Sequence, residues 1–136
     1  MFRAFHEKRE EAGFTLIELL VVILIIAILA AIAIPVFLNQ RRKGWISQSE
    51  SALKNAATAI ESFSTGNNGN YTGAVITPGG NLETQEGFRP VAGVTMSLED
   101  LGTSWYCFMA VHDNDIPNYI YRSSDGNPIE GVAADC

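Results

Sequence analysis

A run of 25 apolar residues, Phe14 to Leu38, constrains the fold of this chain more than any other feature. It reads FTLIELLVVILIIAILAAIAIPVFL and is interrupted only by Thr15, Glu18 and Pro35. As a helix with a rise of about 1.5 Å per residue it would be roughly 37 Å long, and the hydrocarbon core of a bilayer is about 30 Å thick. The run therefore predicts a helix that can span a membrane.

Glu18 stands in apolar surroundings, where an ionised carboxylate costs at least about 2.5 kcal/mol on insertion scales. The nearest preceding cations, Lys8 and Arg9, lie outside the run. Cleavage between Gly13 and Phe14 would create an ammonium four residues from Glu18. The Glu18 of one copy could then pair with the terminal ammonium of another and set their axial register, because buried ion pairs serve specificity better than stability. The alternative is a glutamate that reaches the membrane surface and has no further role.

Gly13 to Glu18, GFTLIE, followed by a long apolar helix, resembles the signature of the type IV pilin family, and the match extends over residues 13–38. The resemblance implies that a membrane aspartyl peptidase cuts after Gly13 and methylates the new amine of Phe14. It also implies that Glu18 directs methylation and assembly. Pro35 lies where many family members have a proline that loosens the helix. One departure is that Glu side chains offset the Lys and Arg of the leader.

Four segments follow from this interpretation: a cleaved leader (1–13), a transmembrane or filament-core helix (14–38), the amphipathic outer half of that helix (39–65), and a C-terminal region (66–136). Pro35 removes a backbone hydrogen bond and Gly44 is a second weak point, so both are predicted to let the helix bend or partly melt in a filament. The outer half carries an apolar stripe at spacings of three and four, which predicts packing on a small sheet. Its members are Trp45, Ser49, Leu53, Ala56, Ile60 and Phe63.

The C-terminal region predicts an antiparallel meander of three or four strands, from the segments 94–98, 104–112 and 119–122. Gly66 to Asn70 should end the helix in left-handed conformations, and residues 73–93 should form a long loop with at most a short strand. The fold class is therefore α+β. Cys107 and Cys136 form no CxxC motif, and a disulfide is the more frequent state for two cysteines in an exported domain; two free thiols are the alternative. Their pairing would resemble the C-terminal disulfide loop of many pilins.

Net charge and motifs exclude several other functions. The net charge of −6 does not suit a non-specific nucleic-acid binder, so contact with nucleic acid is expected only indirectly, through a filament. The basic run 41–43 is interpreted as an interfacial anchor. His6 would be lost with the leader, and His112 has no convincing nucleophile beside it. The turn residues 113–115 and Asp125 lack an EF-hand pattern, so a solvated turn is favoured over a Ca²⁺ site. We predict no catalytic, cofactor or metal site and no enzymatic activity.

The resemblance implies a structural function, as the subunit of a type IV pilus used for adhesion, motility or DNA uptake. Expected partners are further copies of the chain, the prepilin peptidase and methylase, and, indirectly, an assembly platform and ATPase. The precursor would lie in the plasma membrane and the product in an extracellular filament. Three alternatives remain open: a pseudopilin of a secretion or competence machine, a monomeric membrane-anchored binding domain, and an enzyme released by cleavage after Ala33.

Overall fold

The computed structural model describes residues 13–136, and the chain divides into two compact units, one ending at Asn39 and one running from Gln40 to Cys136. The helices and strands, in chain order, are α1 (Leu16–Gly66), α2 (Asn81–Thr84), β1 (Val94–Leu101), β2 (Tyr106–His112), β3 (Tyr119–Arg122), β4 (Ile129–Glu130) and a final 3-10 turn (Ala133–Asp135). The α+β class is confirmed.

The first unit is the apolar part of α1. Its large apolar side chains between Phe14 and Leu38 are all exposed. By length and composition, α1 is the one helix within residues 13–136 that could cross a membrane. An apolar surface of this extent on a water-exposed monomer would be a strong signal for another apolar phase or partner.

The second unit contains a four-stranded antiparallel sheet in the order β1-β2-β3-β4, as expected for a meander. Its central strands have the register Phe108 opposite Tyr121 and Ala110 opposite Tyr119. The pairing of β1 with β2 shifts between Leu98 and Asp100, which marks a bulge near the end of this edge strand. β1 is three residues longer than predicted and β2 begins two residues later.

The outer half of α1 packs on this sheet through small residues, as the apolar stripe predicts. Leu53, Ala56 and Ile60 are fully buried in one cluster with Phe108 and Ala110 of β2. Alanines on the contact face bring the helix close to the sheet, so that the larger side chains can fill the remaining space at the density of a protein interior.

The end of α1 confirms the predicted left-handed stop. Asn68 and Gly69 have φ angles of 56° and 76°. The Gly69 N–H donates to the Ser64 carbonyl at 2.8 Å, the six-to-one hydrogen bond of a Schellman ending.

The prediction of a long loop with at most a short strand between residues 73 and 93 omits the short helix α2, and this segment contains no strand. The Asn81 side chain holds it in place: its Oδ1 accepts from the Val75 N–H at 2.7 Å, and its Nδ2 donates to the Gly73 carbonyl at 2.8 Å. The Glu83 carboxylate also accepts from the Gly79 N–H at 2.8 Å. These side chains form hydrogen bonds with backbone N–H and C=O groups of the loop, which therefore need no neighbouring strand as a partner.

The disulfide between Cys107 and Cys136 is present and closes the C-terminal loop. Its Cα atoms are 5.6 Å apart and 29 residues apart in sequence. Cys107 is buried in β2, and Cys136 directly follows the final 3-10 turn. A second contact holds the same tail, since Arg122 Nη1 donates to the Asp135 carbonyl at 3.2 Å.

Glu61 joins three segments of the second unit through two tyrosines. The Tyr106 hydroxyl of β2 donates to Glu61 Oε1 at 2.9 Å. The Tyr71 hydroxyl, from the loop after α1, lies 3.1 and 3.0 Å from the two carboxylate oxygens. Burial, followed by the neighbouring Glu61 carboxylate, raises the pKa of Tyr106 far above its ordinary value.

The Tyr106→Phe substitution should lower the free energy of unfolding by about 1.5–3 kcal/mol at neutral pH, because it removes one hydrogen bond to a carboxylate. Since its raised pKa keeps Tyr106 protonated in the folded state, the unfolded chain alone loses this proton above pH ~10. The stability of the parent chain should therefore fall as pH rises, and the difference from the variant should narrow. Urea unfolding at pH 7 and at higher pH tests this.

The control is Tyr121→Phe, because the Tyr121 ring stacks parallel to that of Tyr106, while its hydroxyl makes no hydrogen bond among residues 13–136. This substitution should change stability little at neutral pH. A constant difference between Tyr106→Phe and the parent across the pH series would contradict the prediction.

Candidate processing and assembly site

Residues 13–15 precede the first turn of α1 and carry the predicted cleavage position. None of them is helical, since α1 begins at Leu16. The Phe14 side chain is 90% exposed, and a Cβ added at Gly13 would meet no atom of residues 15–136 within 4 Å. The peptide bond between Gly13 and Phe14 therefore lies in open, non-helical chain, the conformation that a peptidase can approach.

Thr15 and Glu18 form a capping box at the N-terminus of α1. The Thr15 backbone N–H and its hydroxyl both donate to Glu18 Oε2, at 2.9 and 2.8 Å. In return, the Glu18 N–H donates to Thr15 Oγ1 at 3.2 Å. A threonine at the N-cap and a glutamate three residues later thus satisfy backbone N–H groups that the helix leaves unpaired.

The sequence predicts a cation as the partner of Glu18, whereas its partners in the structure are the two neutral donors of Thr15. The signal is present in the sequence, because Thr15-Leu16-Ile17-Glu18 before an apolar run is a capping-box pattern. The carboxylate therefore has partners within its own chain. Neutral donors stabilise the carboxylate without cancelling its charge, so a cation is still required where the surroundings are apolar.

The neighbours of the exposed Glu18 side chain on one face of α1 are apolar. Glu18 shares a shallow groove with Phe14, Ile17, Val21 and Val22. Only Oε2 is engaged by a hydrogen bond within residues 13–136. Oε1 is thus the atom that can receive a further donor, and the groove can accept one positively charged group among apolar contacts.

Pro35 and Gly44, the two predicted weak points, both lie inside helical structure. Within residues 13–136, no atom outside the adjacent helix backbone lies within 4 Å of a Cβ added at Gly44, so no close neighbour there requires a glycine. The predicted loosening concerns subunits packed in a filament. It stays a prediction.

His112 belongs to the packing of the second unit. Its Nε2 lies 2.9 Å from Gln48 Oε1 of α1, and its Nδ1 accepts from the Asn114 N–H at 3.1 Å. The Trp45 ring centroid is 6.0 Å from that of His112. Both ring nitrogens thus connect β2 to α1 and to the following turn. His6 lies outside the described residues.

The acidic residues considered for Ca²⁺ do not form one site. Residues 113–115 lie in an exposed turn, whereas Asp125 accepts from Arg122 Nε at 2.6 Å. This hydrogen bond lowers the pKa of Asp125. Among residues 13–136, no three His, Cys, Asp or Glu side chains are grouped so that they could hold a metal ion.

These features define a class of protein. An open Gly-Phe junction leads into a helix with one capped carboxylate among apolar side chains, and the same chain carries a four-stranded unit closed by a disulfide. Together they are the features of a prepilin-type filament subunit.

Comparison with known proteins agrees with this class. The family profile described as "Prokaryotic N-terminal methylation motif" matches residues 8–34. The type IV wide pilus major component PilA4 of Thermus thermophilus is 38% identical over 107 residues, which are 76% of this chain and 76% of that protein. The chain belongs to the type IV pilin family.

Two other relatives match over fewer residues than the Thermus protein does. The type IV major pilin protein PilA of Myxococcus xanthus is 51% identical over 51 residues, 38% of this chain and 23% of that protein. The type II secretion system core protein G of Pseudomonas aeruginosa is 32% identical over 57 residues, 42% of this chain and 40% of that protein. The family thus includes both pilins and pseudopilins.

Proposed function

We propose that this chain is the precursor of a structural subunit of a type IV pilus. The observation that carries the proposal is the arrangement of Gly13, Phe14 and Glu18 at the start of an apolar helix, in a chain whose relatives include major pilins. The family is one of structural subunits, and adhesion, motility or DNA uptake would be performed by the assembled filament.

Maturation begins in the membrane with the precursor held by its apolar helix. The prepilin peptidase cuts the bond between Gly13 and Phe14, and the Phe14 amine is methylated. Support comes from the exposed, non-helical junction and from the methylation motif over residues 8–34. The capping box belongs to residues 15 and 18, so it survives the removal of the leader.

Assembly then joins the apolar helices of many copies. Burial of apolar surface contributes about 25 cal/mol per Å² when the surface leaves water. The net gain is smaller here because lipid already surrounds the helix, so a specific contact has to select the arrangement of copies. In our proposal that contact is the Glu18 carboxylate of one copy with the Phe14 ammonium of the next. An inner-membrane platform and an ATPase would drive the extrusion of the filament.

Intact-mass and N-terminal measurement of the mature protein from its host tests the processing step. We expect a chain that begins at Phe14 and carries one additional methyl group. The Gly13→Val variant should remain unprocessed, because the peptidase cuts after a glycine. The fold of the second unit should be unaffected, since a Cβ at position 13 meets no atom of residues 15–136 within 4 Å. Glu130→Gln, a change in the second unit, serves as the control and should be processed normally.

A mature chain that retains Met1, or one that begins at Ile34, would contradict the proposal. The first would leave an uncleaved anchor, and the second would indicate release by a signal peptidase after Ala33.

A pseudopilin role is the second candidate, and the match to a type II secretion core protein favours it. The longer match to a pilus component, over 76% of both chains, favours the pilus. Deletion of the gene separates the two: loss of long surface filaments indicates a pilin, while loss of secretion or DNA uptake without a change in surface filaments indicates a pseudopilin.

A further inference from the structure

The two donors that hold the Glu18 carboxylate both come from Thr15 and both reach the same oxygen, Oε2. A glutamate side chain on a helix surface normally samples several rotamers, and fixing one of them costs conformational entropy. Two hydrogen bonds to one oxygen restrict that freedom in the free subunit. The second oxygen, Oε1, makes no hydrogen bond within residues 13–136.

We infer that Thr15 is a positioning residue for the assembly contact: it holds Oε2 of Glu18 so that Oε1 is presented to the terminal amine of a second copy. This inference rests on the proposed function. Both donors lie on the mature side of the cut, so the same geometry serves the subunit after cleavage.

Apolar surroundings strengthen this arrangement. No water competes for the carboxylate or for the first N–H groups of α1 in hydrocarbon, so each hydrogen bond of the box matters more there than in water. A pre-oriented acceptor also reduces the entropy that must be lost when the two copies meet.

Two other roles predict different results. If Thr15 only capped the helix, glycine would replace it at little cost, because glycine is an acceptable N-cap residue. If Thr15 competed with the incoming amine for Glu18, removing the hydroxyl would increase assembly.

The experiment compares Thr15→Ser, Thr15→Val and Thr15→Gly in the full-length chain in its host. The filament yield of each variant is divided by its amount of cleaved subunit. Differences in how well the peptidase cuts the variants therefore do not affect the comparison. Helix content of the purified subunits in detergent is measured by circular dichroism.

We expect Thr15→Ser to stay within about twofold of the parent, since it keeps both donors, and Thr15→Val and Thr15→Gly each to lose about tenfold, the usual effect of removing one hydrogen bond to a charged group. Parental yield in Thr15→Val or Thr15→Gly, or an increased yield in either, would overturn the inference. Failure of the proposed function has a separate signature, because the parent chain itself would then form no filament. Normal assembly of Glu18→Ala would instead refute the contact between Glu18 and the Phe14 ammonium.

Discussion

The Glu18→Gln variant is expected to form at least about a hundredfold less filament than the parent, while its leader is still removed. Glutamine keeps the shape of the side chain and an oxygen that can accept from Thr15, so the substitution removes little except the charge. The Phe14 ammonium of the neighbouring copy would then be left without a counter-ion. Leaving one member of a buried ion pair unpaired costs about 3–5 kcal/mol, and each 1.4 kcal/mol is a factor of ten.

The measurement is the amount of subunit in sheared surface filaments against the amount in the membrane, by immunoblot. Glu130→Gln is the matched control, because it removes the same charge from an exposed position of the second unit. Normal filaments from Glu18→Gln would show that the carboxylate charge plays no part in assembly. If the parent itself forms no filament, the chain is a pseudopilin or a monomeric anchored domain, and unimpaired secretion and DNA uptake after deletion of the gene indicate the anchored domain.

Local patterns in the sequence predict most of the secondary structure. The apolar stripe that includes Leu53, Ala56 and Ile60 predicts the face of α1 that packs on the sheet, because residues three and four apart share one side of a helix. The strand centred on Phe108 and the strand 119–122 follow from β-branched and aromatic residues between turn signals. The candidate processing site is equally local, since Gly13, Phe14 and Glu18 lie within six consecutive residues.

Contacts between distant residues could not be predicted in this way. Glu61 and Tyr106 are separated by 45 residues, and Gln48 and His112 by 64. Whether such side chains meet depends on how the sheet packs on the helix. The periodicity of apolar residues along the chain does not specify that packing. The short helix α2 was missed for a related reason: Asn81 satisfies backbone groups six and eight residues away.

The Cys107–Cys136 disulfide should contribute about 3–4 kcal/mol to the free energy of unfolding of the chain in detergent. In the chain-entropy treatment this is the value for a loop closed across 29 residues. The double variant Cys107→Ser, Cys136→Ser is therefore expected to unfold at a lower urea concentration with a similar dependence on urea, unless the open unfolded chain becomes less compact.

A comparison with the reduced parent separates the loss of the cross-link from the insertion of serine at the buried position 107. Reduced parent and double variant should lose about the same stability if the cross-link dominates, whereas a further loss in the double variant would measure the burial of a hydroxyl, about 1–3 kcal/mol when it finds no partner. Without the disulfide, two main contacts would hold the C-terminal tail: the hydrogen bond from Arg122 to the Asp135 carbonyl and the pairing of β4 with β3. Because both involve largely exposed groups, they should not replace the covalent bond. A loss below about 1 kcal/mol on reduction would show that these contacts already hold the tail, and that the loop-closure argument does not apply to this chain.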